Sequence, residues 1–131
     1  MRIDHVAIWV KDLEISRSFY SNYFNMKSNE RYNNPRNFFC SYFLSFENNN
    51  TTRIELMQRP DVLENEFDDR GMVHGLAHLA ISVGSKNEVD RLTELLRSDG
   101  YSVVGEPRTT GDGYYESVIA DCDGNWIEIT A

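Results

Sequence analysis

The chain repeats itself. His5-Val6-Ala7-Ile8-Trp9-Val10 returns as His78-Leu79-Ala80-Ile81-Ser82-Val83, with four of six positions identical at an offset of 73 residues. The same offset carries Asp12 to Ser85, both of them residue types that cap helix N-termini, and Glu55 to Glu128. Each glutamate sits in an apolar alternation, Arg53-Ile54-Glu55-Leu56 in one case and Trp126-Ile127-Glu128-Ile129 in the other. Three landmarks at one offset predict two similar modules.

Periodicity supplies the elements of each module. Residues 3–10 alternate, with Val6, Ile8 and Val10 on one face and His5, Ala7 and Trp9 on the other, as in a strand covered on one side. From Asp12 to Phe24 the residues Leu13, Ser16, Phe19, Tyr20, Tyr23 and Phe24 form a helical stripe behind an Asp12 cap. Strands are expected at 26–32, 38–47 and 52–58, with a turn at Asn48-Asn49-Asn50. The second module predicts a strand at 76–83 and a helix from Ser85 to about Ser98, opened by a Ser85/Glu88 capping box. Its stripe reads Val89, Leu92, Leu95 and Leu96, and Gly100 ends it. Strands follow near 101–107, 114–121 and 125–130, the last two joined at Asp123-Gly124. Each half reads βαβββ. The expected fold is therefore α+β: two βαβββ modules related by pseudo-twofold symmetry, forming a cup-shaped mixed sheet with the helices outside. At 131 residues this fits one domain, 1–131, with module one at 1–58, a polar connection at 59–75 and module two at 76–131.

Charge narrows the partners. Thirteen Lys and Arg against 21 Asp and Glu leave a net charge of −8, which repels phosphate backbones and anionic lipid and argues against nucleic acid or membrane as a partner. The longest apolar runs are too short to span a bilayer, and no secretory leader is evident at Met1. Cys40 and Cys122 stand alone, without the spacing of a redox motif, a zinc knuckle or a disulfide framework. These features predict a reduced, cytoplasmic protein.

Four residues carry the chemistry. Strand parity points His5 and His78 away from their helix-packed neighbours, and it does the same for Glu55 and Glu128. Pseudo-twofold pairing of the halves would bring the two imidazoles and two carboxylates together. Carboxylates drawn into such a cup need a neutralising partner. A His2Glu2 set with a divalent ion is formally neutral, and its mixed ligands suit Zn, Ni, Mn, Co or Fe rather than Ca or Mg. His74 could form an H-x3-H pair with His78, but it falls in the connection, outside the strand pattern. The stretch from Arg108 to Tyr115 is a glycine-punctuated loop able to hold a substrate. Arg36 and Arg108 are cations that an anionic substrate could use.

The same residues resemble a known group. Ile3-Asp4-His5-Val6-Ala7, followed by Lys11-Asp12-Leu13 and Phe19-Tyr20, is similar to the opening of the vicinal oxygen chelate superfamily, which includes glyoxalase I, bleomycin and fosfomycin resistance proteins and extradiol dioxygenases. Ile54-Glu55-Leu56, Leu76-Ala77-His78-Leu79-Ala80 and the ending Asp121-Cys122-Asp123-Gly124-Asn125-Trp126-Ile127-Glu128-Ile129 extend the likeness over essentially the whole chain. Cys122 stands where the family's ending usually has proline, and Asp123-Gly124 still serves the turn. The likeness is nearest to small bacterial glyoxalase-like, or lactoylglutathione lyase-like, proteins, whose metal ligands fall on His5, Glu55, His78 and Glu128.

Ligand number selects among the chemistries this resemblance implies. Dioxygenases and fosfomycin-modifying enzymes of the superfamily use two histidines and one carboxylate, and the bleomycin binders generally carry no metal ligands. Four protein ligands leave two adjacent positions on an octahedral ion, suited to the neighbouring oxygens of an enediolate. The resemblance thus implies a glyoxalase I-like lyase or isomerase acting on the hemithioacetal of a 2-oxoaldehyde and a thiol. Glu128 is the implied base, and Glu55 is a second candidate for that role. It also implies a homodimer with a small-molecule substrate. The alternatives are an antibiotic- or toxin-binding protein, for which Trp9, Tyr42, Tyr114, Tyr115 and Trp126 would offer stacking surfaces, and another metal-dependent enzyme such as a dioxygenase or thiol transferase.

Overall fold

A computed structural model describes residues 1–47, 52–64 and 70–131. The expected turn at Asn48-Asn49-Asn50, and residues 65–69 of the expected connection, lie outside the described residues. The chain forms two compact units, Met1–Glu64 and Asn65–Ala131.

The first unit contains β1 (His5–Trp9), α1 (Leu13–Phe24), β2 (Lys27–Ser28), β3 (Tyr32–Asn34), β4 (Phe39–Ser45) and β5 (Arg53–Gln58). Its sheet runs in the order β1-β5-β4-β2, with β3 also paired to β4. The β1/β5 pair is parallel, and the pairs made by β4 are antiparallel. Asp12 caps α1 by accepting hydrogen bonds from the backbone N–H groups of Glu14 and Ile15, both at 2.9 Å. The helix ends at Asn25, whose φ of 55° is left-handed and whose N–H donates to the carbonyl of Tyr20. Asparagine tolerates that conformation better than most non-glycine residues. Leu13, Phe19, Tyr20 and Phe24 of α1 are buried with Leu44, Ile54 and Leu56 of the sheet, and they form the core of this unit.

The single strand expected at 26–32 is instead two short ones, β2 and β3. Asn29 interrupts it: its N–H donates to the Phe43 carbonyl at 3.0 Å, while its side-chain oxygen accepts from the Phe43 N–H at 2.8 Å. A side chain that takes the place of a backbone acceptor breaks the ladder at that point.

The second unit contains β6 (Leu79–Ser82), α2 (Lys86–Ser98), β7 (Val103–Thr109), β8 (Tyr115–Ala120) and β9 (Trp126–Thr130), preceded by a 3-10 turn at Arg70–Met72. Its sheet order is β6-β9-β8-β7, with β6/β9 parallel and the other pairs antiparallel. Both units thus place the strand before the helix parallel to the last strand of the unit. The architecture is α+β with two similar modules, βαβββ in the second unit and, with β2 and β3 counted as one interrupted strand, in the first.

Ser85 caps α2, its Oγ accepting the Glu88 N–H at 3.3 Å. The Glu88 carboxylate is engaged by Arg91. The buried face of α2 is Val89, Leu92, Thr93 and Leu96, with Leu95 exposed. At 100° per residue, positions 89, 92, 93 and 96 form one stripe and position 95 turns away from it, so helical geometry outweighs side-chain polarity here. Thr93 meets the cost of burial by bonding the Val89 carbonyl at 2.7 Å and the Ser117 hydroxyl at 2.6 Å.

Candidate metal centre

In the first unit the parallel β1/β5 register sets Ala7 beside Glu55. His5 lies two residues earlier on the same face and approaches the glutamate diagonally, with its Nε2 3.6 Å from Oε2 of Glu55. Ile54 and Leu56 point the other way into the core, which is why the intervening carboxylate faces outward. The imidazole is also held from behind. Its Nδ1 lies 3.0 Å from Oδ2 of Asp4, and the Phe43 ring meets it edge-on at 5.2 Å. Arg53 pairs with Asp4 and lies over Phe43 at 4.4 Å. Hydrogen bonds from His5 and then Arg53 hold the Asp4 carboxyl below the usual carboxylate range.

The second unit repeats the pair. Ala80 is set beside Glu128, and His78, immediately before β6 rather than inside it, places Nε2 3.3 Å from Oε2 of Glu128. The histidine side chains are 38% and 41% exposed and their glutamates 15% and 18%, so the two pairs are near duplicates in burial as well as spacing.

Around the second pair the surroundings differ. On β8, Val118 lies opposite Glu128, which brings Glu116 onto the same face two residues away. Glu116 is paired with Nη2 of Arg108 at 3.2 Å. Gly105 makes room for that arginine: a Cβ there would stand 3.2 Å from Nη1 of Arg108. Burial pushes the Glu128 carboxyl above the usual range, the Glu116 charge pushes it further, and the charges of His78 and Arg108 pull it back. A carboxyl so placed holds a proton more readily than an ordinary glutamate.

The spacing suits a shared cation. Two ligands ~2.1 Å from one ion and ~90–110° apart stand roughly 3.0–3.4 Å from each other. The distances of 3.3 and 3.6 Å fall close to that. Where the facing imidazole nitrogen carries no proton, it and the carboxylate are two electron-pair donors that a cation between them would relieve; where it carries one, it donates to the carboxylate directly. The structure brings His5 to Glu55 and His78 to Glu128. Among the described residues no group of three or more His, Cys, Asp or Glu side chains is gathered to hold a metal. His74 is exposed in the bend after the 3-10 turn. Glu116 and Asp4 did not stand out in the sequence as partners of the four expected ligands. For Glu116 the signal lies in the β8/β9 register; for Asp4 it is simple adjacency to His5.

Comparison with known proteins agrees with this architecture. The glyoxalase/bleomycin resistance protein/dioxygenase superfamily model matches residues 2–129. The Bacillus subtilis proteins YwbC and YqjT, both described only as uncharacterized, are each 31% identical; the alignments cover 97% of this chain and 94% and 96% of theirs. Glyoxalase I of Zea mays superposes with a TM-score of 0.78 at 27% identity, and the match covers 98% of this chain but only 44% of the maize chain. The trypanothione-dependent glyoxalase I of Leishmania major, 24% identical, shares the fold at a TM-score of 0.73 over 99% of this chain and 86% of its own. The chain belongs to the glyoxalase/bleomycin resistance protein/dioxygenase superfamily.

Proposed function

We propose that the chain is a metal-dependent isomerase of the glyoxalase I type, formally a lyase, acting on the hemithioacetal of a 2-oxoaldehyde and a thiol. The observation that carries the reading is the duplicated His–Glu pair, each at the separation of two ligands on one ion. His5, Glu55, His78 and Glu128 would hold a divalent ion of the Zn, Ni, Mn, Co or Fe group. When bound, such an ion supplies Lewis-acid stabilisation of negative charge developing on two neighbouring substrate oxygens.

The protein's own part is proton transfer. Glu128, with its raised proton affinity, takes the proton from the carbon bearing the thiol and returns one to the adjacent carbon. The hydroxyl proton passes between the two oxygens, and the product is a 2-hydroxyacyl thioester with no net oxidation. Glu55 is the second carboxylate able to share this work. A homodimer acting on a small molecule fits the reading, and Cys40 and Cys122, neither of them in a disulfide, suit a reducing cytoplasm.

A second reading, a binder of flat antibiotics or toxins, is favoured by one feature. Trp9 and Phe39 meet edge-on at 6.2 Å and Tyr32 lies 6.0 Å from Phe39, on the sheet face that carries His5. The deciding experiment is metal content of protein purified without chelator, for wild type and Glu55→Ala, together with turnover of methylglyoxal with several thiols and added divalent ions. About one metal per chain, lost with Glu55 and needed for turnover, is the expected result. Tight binding of aromatic ligands without metal or turnover would select the binder.

A further inference from the structure

We propose that Asp4, clamped by Arg53, is a positioning residue that fixes the His5 imidazole with its Nε2 free for a metal, so that the first His–Glu pair is preset and the second is not. The inference rests on the metal-centre reading above.

The geometry is one-sided. The Asp4 carboxylate only accepts hydrogen bonds, so at 3.0 Å from it Nδ1 of His5 is the donor. In the neutral ring this leaves Nε2 deprotonated and facing Glu55. Phe43 sets the plane of the ring from its edge, and Arg53 braces both Asp4 and Phe43. None of this is duplicated. At the offset of 73, Asp4 corresponds to Ala77 and Arg53 to Trp126, and Val118 rather than a phenyl ring lies opposite Glu128. Among the described residues Glu128 is the one side chain paired with His78. Carboxylates behind a metal-bound histidine fix its tautomer and raise its basicity, and their loss typically weakens metal binding by about 10–100-fold.

Asp4 and Arg53 also tie the start of β1 to the start of β5 and could serve as a structural clamp alone, so the test needs a readout that a clamp would not move. In the metal-free wild type, side-chain 15N shifts recorded at mildly alkaline pH should show His5 mainly as the Nδ1–H tautomer and His78 without that bias. Asp4→Ala should remove the bias at His5. Its Zn2+ affinity, measured by chelator competition, should fall by about 10–100-fold at unchanged saturating stoichiometry. Asp4→Asn, which keeps an acceptor oxygen, should fall less. Ala77→Asp should impose the bias on His78. Arg53→Gln, a milder release of Asp4, serves if Asp4→Ala folds poorly.

If His5→Ala abolishes Zn2+ binding while Asp4→Ala keeps both the wild-type tautomer and the wild-type affinity, the role of Asp4 is overturned and the metal centre stands. If wild type takes up no divalent ion under any loading condition, the metal centre fails and the role of Asp4 with it, whatever the tautomer.

Discussion

Thr93 and Ser117 offer a quantitative test of how the second unit is held together. Both are essentially buried, and their hydroxyls are 2.6 Å apart between α2 and β8. The Thr93 hydroxyl also lies 2.7 Å from the Val89 carbonyl. With its one proton directed to that carbonyl, Thr93 must accept from Ser117. Thr93→Val keeps the shape but strands the Ser117 hydroxyl in an apolar layer. An unsatisfied buried hydroxyl costs ~1–3 kcal/mol, whereas removing both partners is nearly neutral. Thr93→Val should therefore lose ~1–3 kcal/mol, and adding Ser117→Ala should recover most of it, a coupling of about 1–2 kcal/mol. The assay is urea unfolding of the metal-free protein with an unchanged m-value. Because Ser117 faces α2 while Glu116 and Val118 face the other side of β8, metal stoichiometry should be the same in all variants. Strict additivity, or a double mutant weaker than either single one, would refute the assigned direction of the hydrogen bonds.

Glu128→Gln should retain metal through the remaining ligands but lose about 10²–10⁴-fold in turnover, as removal of a general base does; full activity in that variant sinks the assignment. The Glu128 carboxyl is raised in the fold, so its contribution to the stability of the metal-free protein is fully present in acid and is lost as pH rises through the raised value. Glu116→Gln removes the like charge and should move that loss to lower pH, read from urea midpoints across a pH series. Glu14 behaves oppositely: the hydrogen bond from Tyr42, at 2.9 Å, and then Arg17 hold its carboxyl low, so its contribution is present above the ordinary carboxylate range and is lost as pH falls through the lowered value. Tyr42→Phe should thus cost ~0.5–1 kcal/mol at neutral pH and progressively less in acid; a pH-independent cost would contradict it.

How much of this was legible in one strand of letters depends on which physical rule each feature obeys. The helices were, because a capping residue, a 3.6-residue stripe and a stop signal are all local; Asp12 and Ser85 cap where their chemistry predicts. The β2/β3 break was not, because it depends on Asn29 meeting Phe43 from another strand. Leu95 was misplaced by weighing hydrophobicity above angle, and Thr93 holds the buried position with a hydroxyl satisfied partly by Ser117, a partner that helical periodicity cannot see.

The two His–Glu pairs were legible because the repeat preserves both residue and parity, so the two parallel strand pairs place each histidine diagonally from its glutamate. What the repeat does not preserve was hidden by the same search. Asp4 has no counterpart at 77, and Glu116 stands two residues before Val118 where Ser41 stands two before Phe43. A comparison that rewards sameness finds the paired histidines and glutamates and passes over the residues that make one pair differ from the other. Beside the first pair Asp4 lies 3.0 Å from the His5 ring; beside the second the Glu116 charge raises the proton affinity of Glu128. If the reading of this centre is right, exchanging the surroundings, with Asp4→Ala and Ala77→Asp combined, should move the tautomer bias from His5 to His78 while leaving the Glu116–Glu128 pair, and the proton chemistry assigned to it, in the second unit.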